Sequence, residues 1–224
     1  MINKELKKRI LSSIILIPVS FFFIFEGSIT FIFFLSIIFL AMGFEWFKMT
    51  KKKELIRILG LFFLFFSFYS AIYLRHYIGL NFFLFLIIVC IFTDIGGYLF
   101  GKILKGPKLT KISPNKTYSG VVGSFFISLI TGFIYIKYLG QKSKILLNND
   151  LEFVVLLILF ISLISQIGDL IISYFKRQAK LKDTGKILPG HGGFLDRLDG
   201  MIFALPVIYS IVIPNLIIRL DQIR

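Results

Sequence analysis

The chain has 224 residues, 57% of them apolar, and a mean hydropathy of +0.87. This composition excludes a water-soluble enzyme, because apolar runs close to the length of a bilayer-spanning helix recur along the whole chain. The one cysteine, Cys90, lies inside an apolar run, so the sequence contains no disulfide framework. The net charge of +14 is compatible with a nucleic-acid partner, and only the placement of the charges can test that.

Seven apolar segments predict an all-α, polytopic integral membrane protein with about seven transmembrane helices. They are Ile10–Phe25, Ile29–Phe44, Ile58–Leu74, Asn81–Phe100, Gly120–Leu139, Leu151–Ser173 and Gly200–Ile218. The basic start before an apolar stretch is compatible with a signal peptide, but Phe21–Phe25 is no small-residue cleavage site, so we expect it to be retained. We predict an N-terminal region of three spans, residues 1–80, and a catalytic region, 81–224, with cytoplasmic loops 101–119 and 174–199.

The distribution of lysine and arginine predicts a cytoplasmic N-terminus. With that orientation, 20 of the 26 basic residues lie on the cytoplasmic side, as the positive-inside rule requires. Merging the first two spans would place the run Lys51–Lys53 outside, so seven spans are favoured. The positive charge therefore reflects membrane orientation and lipid phosphate, and no nucleic acid is expected as a partner. Glu45 and Trp46, just before this basic run, are predicted to lie at the membrane interface.

Two acids lie within predicted spans, Asp94 and Asp169. Ionisable groups in a span are costly and usually functional. Asp169 precedes Lys176 by seven residues, which places it about 10 Å below the basic surface at helical rise. It continues a polar stripe of the sixth span, formed by Ser162, Ser165, Gln166, Ser173 and Lys176-Arg177. Serine and glutamine alone are typical of hydrogen bonds between helices, but the acid and the cations favour a shallow site open to the cytoplasm.

A polar island of 27 residues, Ser173–Asp199, follows the sixth span. Its cations Lys176, Arg177 and Arg197 are suited to phosphate oxygens, which arginine binds with a two-pronged fork. Lys182 adds a further positive charge. These side chains predict a phosphate-binding site.

The second half of the island contains glycines and carboxylates. Gly192 and Gly193 lack a Cβ, so their backbone N–H groups can approach an anion closely. His191 beside them is predicted to bind phosphate rather than to act as a base. Asp196 and Asp199 share one face if the segment is helical, which suits a hard divalent cation.

A family signature is visible in this island. Its typed positions are Ser173, Lys176-Arg177, Lys182-Asp183, Gly185, Pro189, His191-Gly192-Gly193, Asp196-Arg197 and Asp199. The pattern resembles the phosphatidate cytidylyltransferase family, the CDP-diacylglycerol synthases. A second stretch, Asp94-Ile95-Gly96-Gly97-Tyr98 followed by Ser113-Pro114-Asn115-Lys116-Thr117, resembles another motif of that family. Ser119 departs from it, because the family usually has an acid there. The resemblance covers about Asp94 to Asp199 well and the first 80 residues poorly.

The resemblance implies that CTP and phosphatidate are joined into CDP-diacylglycerol and pyrophosphate at the cytoplasmic face of a bacterial inner membrane. It also implies Mg²⁺, with a possible second cation, and a possible homodimer. We assign the catalytic roles to Asp169, Asp196, Lys176, Arg177 and Arg197, and the metal ligands to Asp169 and Asp196, with Asp199 and Asp94 behind them. Substrate binding is assigned to Ser113, Lys116, Thr117, Ser173, Lys182, Asp183, His191, Gly192 and Gly193. For Asp183, a salt bridge with Lys182 or Lys186 is the equal alternative.

Two other functions remain open from the sequence. A CTP-dependent lipid kinase would use similar basic and glycine-rich loops but transfer the γ-phosphate. A polytopic transporter would use the buried acids as an ion path, and would need polar residues up to the outer face. The polar stripe of the sixth span stops near Ser162, which favours an enzyme.

Overall fold

The computed structural model describes residues 4–221 except positions 52, 111, 141–142, 144–145 and 147–149. Its helices are α1 (Lys4–Glu26), α2 (Ser28–Met49), α3 (Glu54–Tyr73), a π-helical turn (Leu74–Ile78), α4 (Leu80–Leu104), α5 (Tyr118–Tyr138), α6 (Leu151–Gln178), α7 (Leu195–Leu198) and α8 (Met201–Asp221). The described part of the chain contains no β-strand, and the predicted all-helical class is confirmed. Five basic residues of the charge count lie outside the described residues: Lys52, Lys111, Lys142, Lys144 and Arg224.

Within the described residues, five helical segments are long and apolar enough to cross a membrane: Ser28–Met49, Glu54–Ile78, Leu80–Leu104, Tyr118–Tyr138 and Leu151–Gln178. Two shorter apolar segments, Leu11–Glu26 and Met201–Ile213, lie in α1 and α8. The chain is therefore a helical membrane protein. The count of seven spans and the cytoplasmic N-terminus stay predictions.

Helix α4 lies at the centre of the helix bundle, where it contacts α5, α6 and α8. Its side chains Phe82, Phe85 and Val89 are fully buried, and they share one apolar core with Ile158 of α6 and Ile208 of α8. Asp94 follows Val89 by five residues on this helix, and it is exposed rather than buried in the core.

Small residues let α4 and α5 approach closely, as is common between membrane helices. A Cβ added at Gly96 would lie 2.5 Å from the carbonyl oxygen of Gly123, so only glycine fits there. Beside it, Ser124 Oγ donates a 2.8 Å hydrogen bond to the Thr93 carbonyl. The glycines that follow Asp94 in the motif therefore serve helix packing, which positions Asp94 and the loop after α4.

Segments predicted to share a membrane side contact each other. Lys53 Nζ donates to the Gln178 side chain, and Arg177 Nε donates to the Ile112 carbonyl at 3.3 Å. On the other predicted side, Arg75 donates to the carbonyls of Ile24 and Phe25. These contacts support an alternation of helix directions in which three polar segments, residues 48–57, 101–119 and 174–199, meet on one face.

Candidate active site

Asp169 lies on α6, two turns before its basic C-terminal end. Its Oδ2 forms an ion pair with Lys116 Nζ at 2.6 Å, and its Oδ1 accepts a hydrogen bond from Ser173 Oγ at 3.3 Å. Lys116 also donates to the Gln166 carbonyl at 3.3 Å. The loop between α4 and α5 thus meets the polar stripe of α6, as the sequence predicts for a single cavity.

Asp199 lies just before α8, and its carboxyl group is close enough to that of Asp169 for the two to interact electrostatically. Burial, and then the negative charge of Asp169, raise the pKa of Asp199 well above its ordinary value. Asp94 is close enough to repel both carboxylates electrostatically, and Lys116 and Arg197 attract it. Carboxylates this close need a proton or a cation between them.

The residues fit a divalent cation only in part. Asp169 and Asp199 form a carboxylate pair with Asp94 nearby, which is the oxygen-rich chemistry that a hard cation prefers. However, no group of three or more His, Cys, Asp or Glu side chains within the described ranges is arranged to hold a metal. Asp196, the other predicted ligand, has different partners.

Asp196 lies in α7 and is paired with Lys176 at 2.8 Å. Its other oxygen accepts hydrogen bonds from Thr184 N at 2.8 Å and Gly193 N at 3.0 Å, and Thr184 Oγ1 lies 3.0 Å from it. Burial by itself would raise the pKa of Asp196, but these hydrogen bonds and the Lys176 charge hold it below its ordinary value. Asp196 is therefore an ionised carboxylate whose oxygens are already occupied by the island.

A glycine-rich turn of the island, residues 189–193 and here called the glycine turn, surrounds this carboxylate. Leu188 and Gly192 form an isolated antiparallel bridge, and the His191 N–H donates to the Leu188 carbonyl. Gly192 has a φ of +88°, and a Cβ added there would lie 2.8 Å from Asp196 Oδ2. The N–H groups predicted to bind phosphate thus include two, of His191 and Gly193, that donate to acceptors of the protein.

The two arginines of the island point to different neighbours. Arg197 donates through Nε and Nη2 to the His191 carbonyl at 3.1 and 2.8 Å. Arg177, in the last turn of α6, donates to Ile112 and Leu181 carbonyls. Both guanidinium side chains are exposed, so each retains access to a phosphate.

An apolar cavity of about 420 Å³ adjoins this charged region. It lies among α1, α2, α3, α4 and α8, with Ile17, Phe34 and Leu205 among its walls. Its boundary includes His191 of the glycine turn and Arg197 of α7. The molecule therefore places an apolar space directly beside a cation that can bind phosphate.

Comparison with known proteins decides the family. A sequence profile described as the cytidylyltransferase family matches residues 55–213, well over half of the chain. The chain belongs to the cytidylyltransferase family. The matched range includes every site residue predicted from the sequence and begins after α2.

Named relatives agree with this family. A protein named phosphatidate cytidylyltransferase from Staphylococcus aureus (strain COL) is 40% identical over 138 residues, which cover 61% of this chain and 51% of the relative. The protein of the same name from Staphylococcus saprophyticus is 40% identical over 136 residues, covering 60% and 50%. The protein of that name from Staphylococcus haemolyticus is 38% identical over 136 residues, which cover 60% of this chain and 50% of the relative. The resemblance inferred from the sequence is confirmed, and the chain spans about half the length of the relatives that it matches.

In this member of the cytidylyltransferase family, the loop after α4 is tied down by hydroxyl groups. Thr117 caps α5, since its Oγ1 accepts the Gly120 N–H at 3.1 Å, and it also contacts Ser119 Oγ at 3.0 Å. Ser119 Oγ in turn accepts the Gly106 N–H at 3.3 Å. The backbone carbonyl of Ser113 accepts a hydrogen bond from the Lys116 N–H. Ser119, where the family usually has an acid, thus belongs to the hydroxyl groups that shape the loop.

The remaining predicted substrate ligands of the island lie at the surface. Lys182 and Asp183 are exposed, and neither forms an ion pair within the described part of the chain. The salt bridge considered for Asp183 is therefore not formed. Their role in binding substrate stays a prediction.

Glu45 and Trp46, which are predicted to lie at the level of the membrane interface, pack inside the protein. Both side chains are buried, and Trp46 Nε1 donates to the Arg57 carbonyl at 3.1 Å. Glu45 accepts hydrogen bonds from Thr184, Phe194 and Leu195 of the island. No local pattern marked this contact, because the partners lie about 140–150 residues apart in the sequence.

Helix α1 also reaches the island, which sequence reasoning missed. Ser12 Oγ contacts His191 Nδ1 at 2.8 Å, and Ser13 Oγ contacts Nε2 at 3.3 Å. The His191 ring is thereby held at the edge of the apolar cavity. Both serines lie in an apolar stretch that is predicted to span the membrane, so no sequence pattern distinguished them.

Proposed function

We propose that the chain catalyses the reaction of CTP with phosphatidate to give CDP-diacylglycerol and pyrophosphate. The single observation that carries this proposal is the apolar cavity bounded by Arg197 and His191, next to the acidic and basic side chains of α6 and the island. A two-tailed lipid phosphate needs both environments at one point. Family membership supports the nucleotide chemistry.

The cavity suits the acyl part of the lipid acceptor. Its walls are almost wholly apolar, so burial of hydrocarbon there is favourable. A phosphate headgroup at its mouth would meet the guanidinium of Arg197, which offers a fork of donors. CTP would then approach from the exposed side of the loop, where Arg177, Lys182 and Lys180 lie.

In the proposed reaction, an oxygen of the lipid phosphate attacks the α-phosphorus of CTP. A phosphorus–oxygen bond forms between the two phosphates, and the bond from the α-phosphorus to the bridging oxygen breaks to release pyrophosphate. No general base is needed, because a phosphate monoester is ionised near neutral pH. The main obstacle is repulsion between anions, which Lys116, Lys176 and Arg197 reduce.

We further propose that Asp169 and Asp199 hold a divalent cation, Mg²⁺ in particular, with Asp94 in support. Such a cation, when bound, supplies positive charge that stabilises phosphate oxygens and the pyrophosphate leaving group. Within the chain's own machinery, Lys116 holds Asp169 in place through a 2.6 Å ion pair. The partners of Asp196, which are Lys176 and the N–H groups of Thr184 and Gly193, favour for it a role in ordering the island.

The proposed setting is a bacterial inner membrane with the three polar segments, and hence the site, on the cytoplasmic side. Contacts of Gln178 with Lys53 and of Arg177 with Ile112 support a common face for these segments. CTP is a cytoplasmic nucleotide, so this orientation gives it access. The homodimer implied by the resemblance stays a prediction.

An isotope experiment tests the proposed function. Purified protein is incubated with phosphatidate in mixed micelles, Mg²⁺ and CTP labelled at either the α- or the γ-phosphate. We expect α-label in the lipid fraction and γ-label only in pyrophosphate. Lipid labelled from the γ-position would establish a kinase, and an absence of label in lipid from either position would reject the proposal.

A further inference from the structure

Glu45, near the end of α2, is a buried carboxylate with no part in the chemistry described above. It is 1% exposed and precedes the range 55–213 that matches the family. In the described part of the chain no lysine, arginine or histidine forms an ion pair with it. Because a buried charge is costly unless donors surround it, its hydrogen-bond donors determine what it stabilises.

All three donors belong to the island. Thr184 Oγ1 and Leu195 N donate to Oε2, each at 2.9 Å, and Phe194 N donates to Oε1 at 3.0 Å. Thr184 lies before the glycine turn, and Phe194 and Leu195 lie just after it. One carboxylate of α2 therefore closes the base of the loop that carries Asp196 and Arg197.

The glycines of the island make room for this carboxylate. A Cβ added at Gly185 would lie 2.6 Å from Glu45 Oε1, and one added at Gly193 would overlap both oxygens. Neither glycine has a left-handed backbone in the structure, so close approach rather than conformation accounts for them. The loop is shaped around Glu45.

Thr184 connects Glu45 to Asp196. Its hydroxyl lies 2.9 Å from Glu45 Oε2 and 3.0 Å from Asp196 Oδ2, and its N–H donates to the same Asp196 oxygen at 2.8 Å. Because a hydroxyl has one proton, it donates to one carboxylate at a time, while the N–H bond to Asp196 persists. A displacement of Glu45 therefore shifts Thr184, then Asp196 and its partner Lys176.

We propose that Glu45 is a positioning residue, which holds the island so that Lys176 and Arg197 face the substrate phosphates. Its action on turnover rests on the proposed function, whereas its anchoring of the loop does not. Helices α1 and α2, which precede the range 55–213 that matches the family, would thus complete the site.

Glu45→Gln is the main test, with Glu54→Gln as the matched control. Glutamine keeps the size of the side chain but replaces one acceptor oxygen by an NH₂ group, which would face an N–H or O–H donor. We expect a 10–100-fold loss of kcat, as is typical when a supporting hydrogen bond around a site is removed. Glu54 is exposed, and among the described residues it forms an ion pair only with Arg57, so Glu54→Gln should retain wild-type turnover.

Hydrogen exchange separates positioning from a general loss of stability. In Glu45→Gln we expect faster exchange at the amides of Phe194 and Leu195, with α4 and α6 protected as in the wild type. Wild-type kcat together with wild-type exchange at both amides would overturn the proposal. Faster exchange throughout the helices would also overturn it, because Glu45 would then be a general structural residue.

Thr184 provides a second route if Glu45→Gln does not fold. Thr184→Ser retains the hydroxyl and should retain most turnover, whereas Thr184→Val should lose it to a similar extent as Glu45→Gln. If both single variants fold, the double variant Glu45→Gln/Thr184→Val should lose little more turnover than either single variant. Equal activity of the serine and valine variants would overturn the proposal. If the wild type makes no CDP-diacylglycerol, the proposed function fails, and amide exchange alone decides the role of Glu45.

Discussion

Replacement of Asp196 by asparagine tests whether the island is held together by its central carboxylate. The side chains of Lys176 and Asp196 are 11% and 7% exposed, and the pair is 2.8 Å apart. Asparagine keeps one acceptor oxygen, so its NH₂ group must face either the Lys176 ammonium or the N–H groups of Thr184 and Gly193. A donor then faces a donor in a buried site.

The cost follows from the structure. Breaking a buried ion pair by removing one partner typically costs about 3–5 kcal/mol. Lys176 would still be attracted by Asp169 and Asp199, so the lower end, about 3 kcal/mol, is expected. For a domain of this size that corresponds to a melting temperature lower by about 6–12 °C.

The single tryptophan makes the assay specific. Trp46 is buried, and its ring lies 4.9 Å from that of Phe175, close to the base of the island. Thermal unfolding of Asp196→Asn in detergent is followed by its fluorescence, with Asp183→Asn as a control, since Asp183 is exposed and unpaired in the described residues. A melting temperature within 2 °C of the wild type, roughly under 1 kcal/mol, would refute the reasoning.

The dependence of the melting temperature on pH in the acidic range provides a further test of the role of Asp196. Its folded-state pKa lies below the ordinary value, so its contribution is present above about pH 4 and is lost as pH falls through the folded pKa. The difference in melting temperature between wild type and Asp196→Asn should therefore narrow below about pH 4. A constant difference at every pH would show that the carboxylate charge is not the cause.

Three other predictions concern the site, the topology and the packing. Asp169→Asn should nearly abolish turnover while the fold survives; retention of wild-type activity at limiting Mg²⁺ would contradict its proposed role. Cysteine substituted at Tyr77 should react with an impermeant thiol reagent on intact cells, and at Gln178 only after permeabilisation; the reverse pattern would invert the orientation. Gly123→Ala should destabilise the protein by about 1–3 kcal/mol, because its Cβ would overlap a phenylalanine ring of α4. Gly140→Ala, with no atom nearer than 3.5 Å to the added Cβ, is the control, and equal unfolding temperatures would contradict the packing argument.

The sequence alone determined the helical class and the site region. Long apolar runs must be helical in a bilayer, because each backbone N–H and C=O has to be satisfied within its own segment. Charged residues are costly there, so Asp169 in the sixth span already indicated a functional position. The fixed spacing of the island was enough to indicate the family. These signals are local, and each can be read within a few turns of helix.

Only the tertiary structure shows that the carboxylates of the island have different partners and therefore different roles. Asp196 and Asp199 are three residues apart, yet one is surrounded by donors from the island and the other faces Asp169. Glu45 could be recognised only in the fold, because its donors lie about 140–150 residues further along the chain. The energy of a buried carboxylate depends on which donors the packing brings to it, and sequence spacing does not specify that.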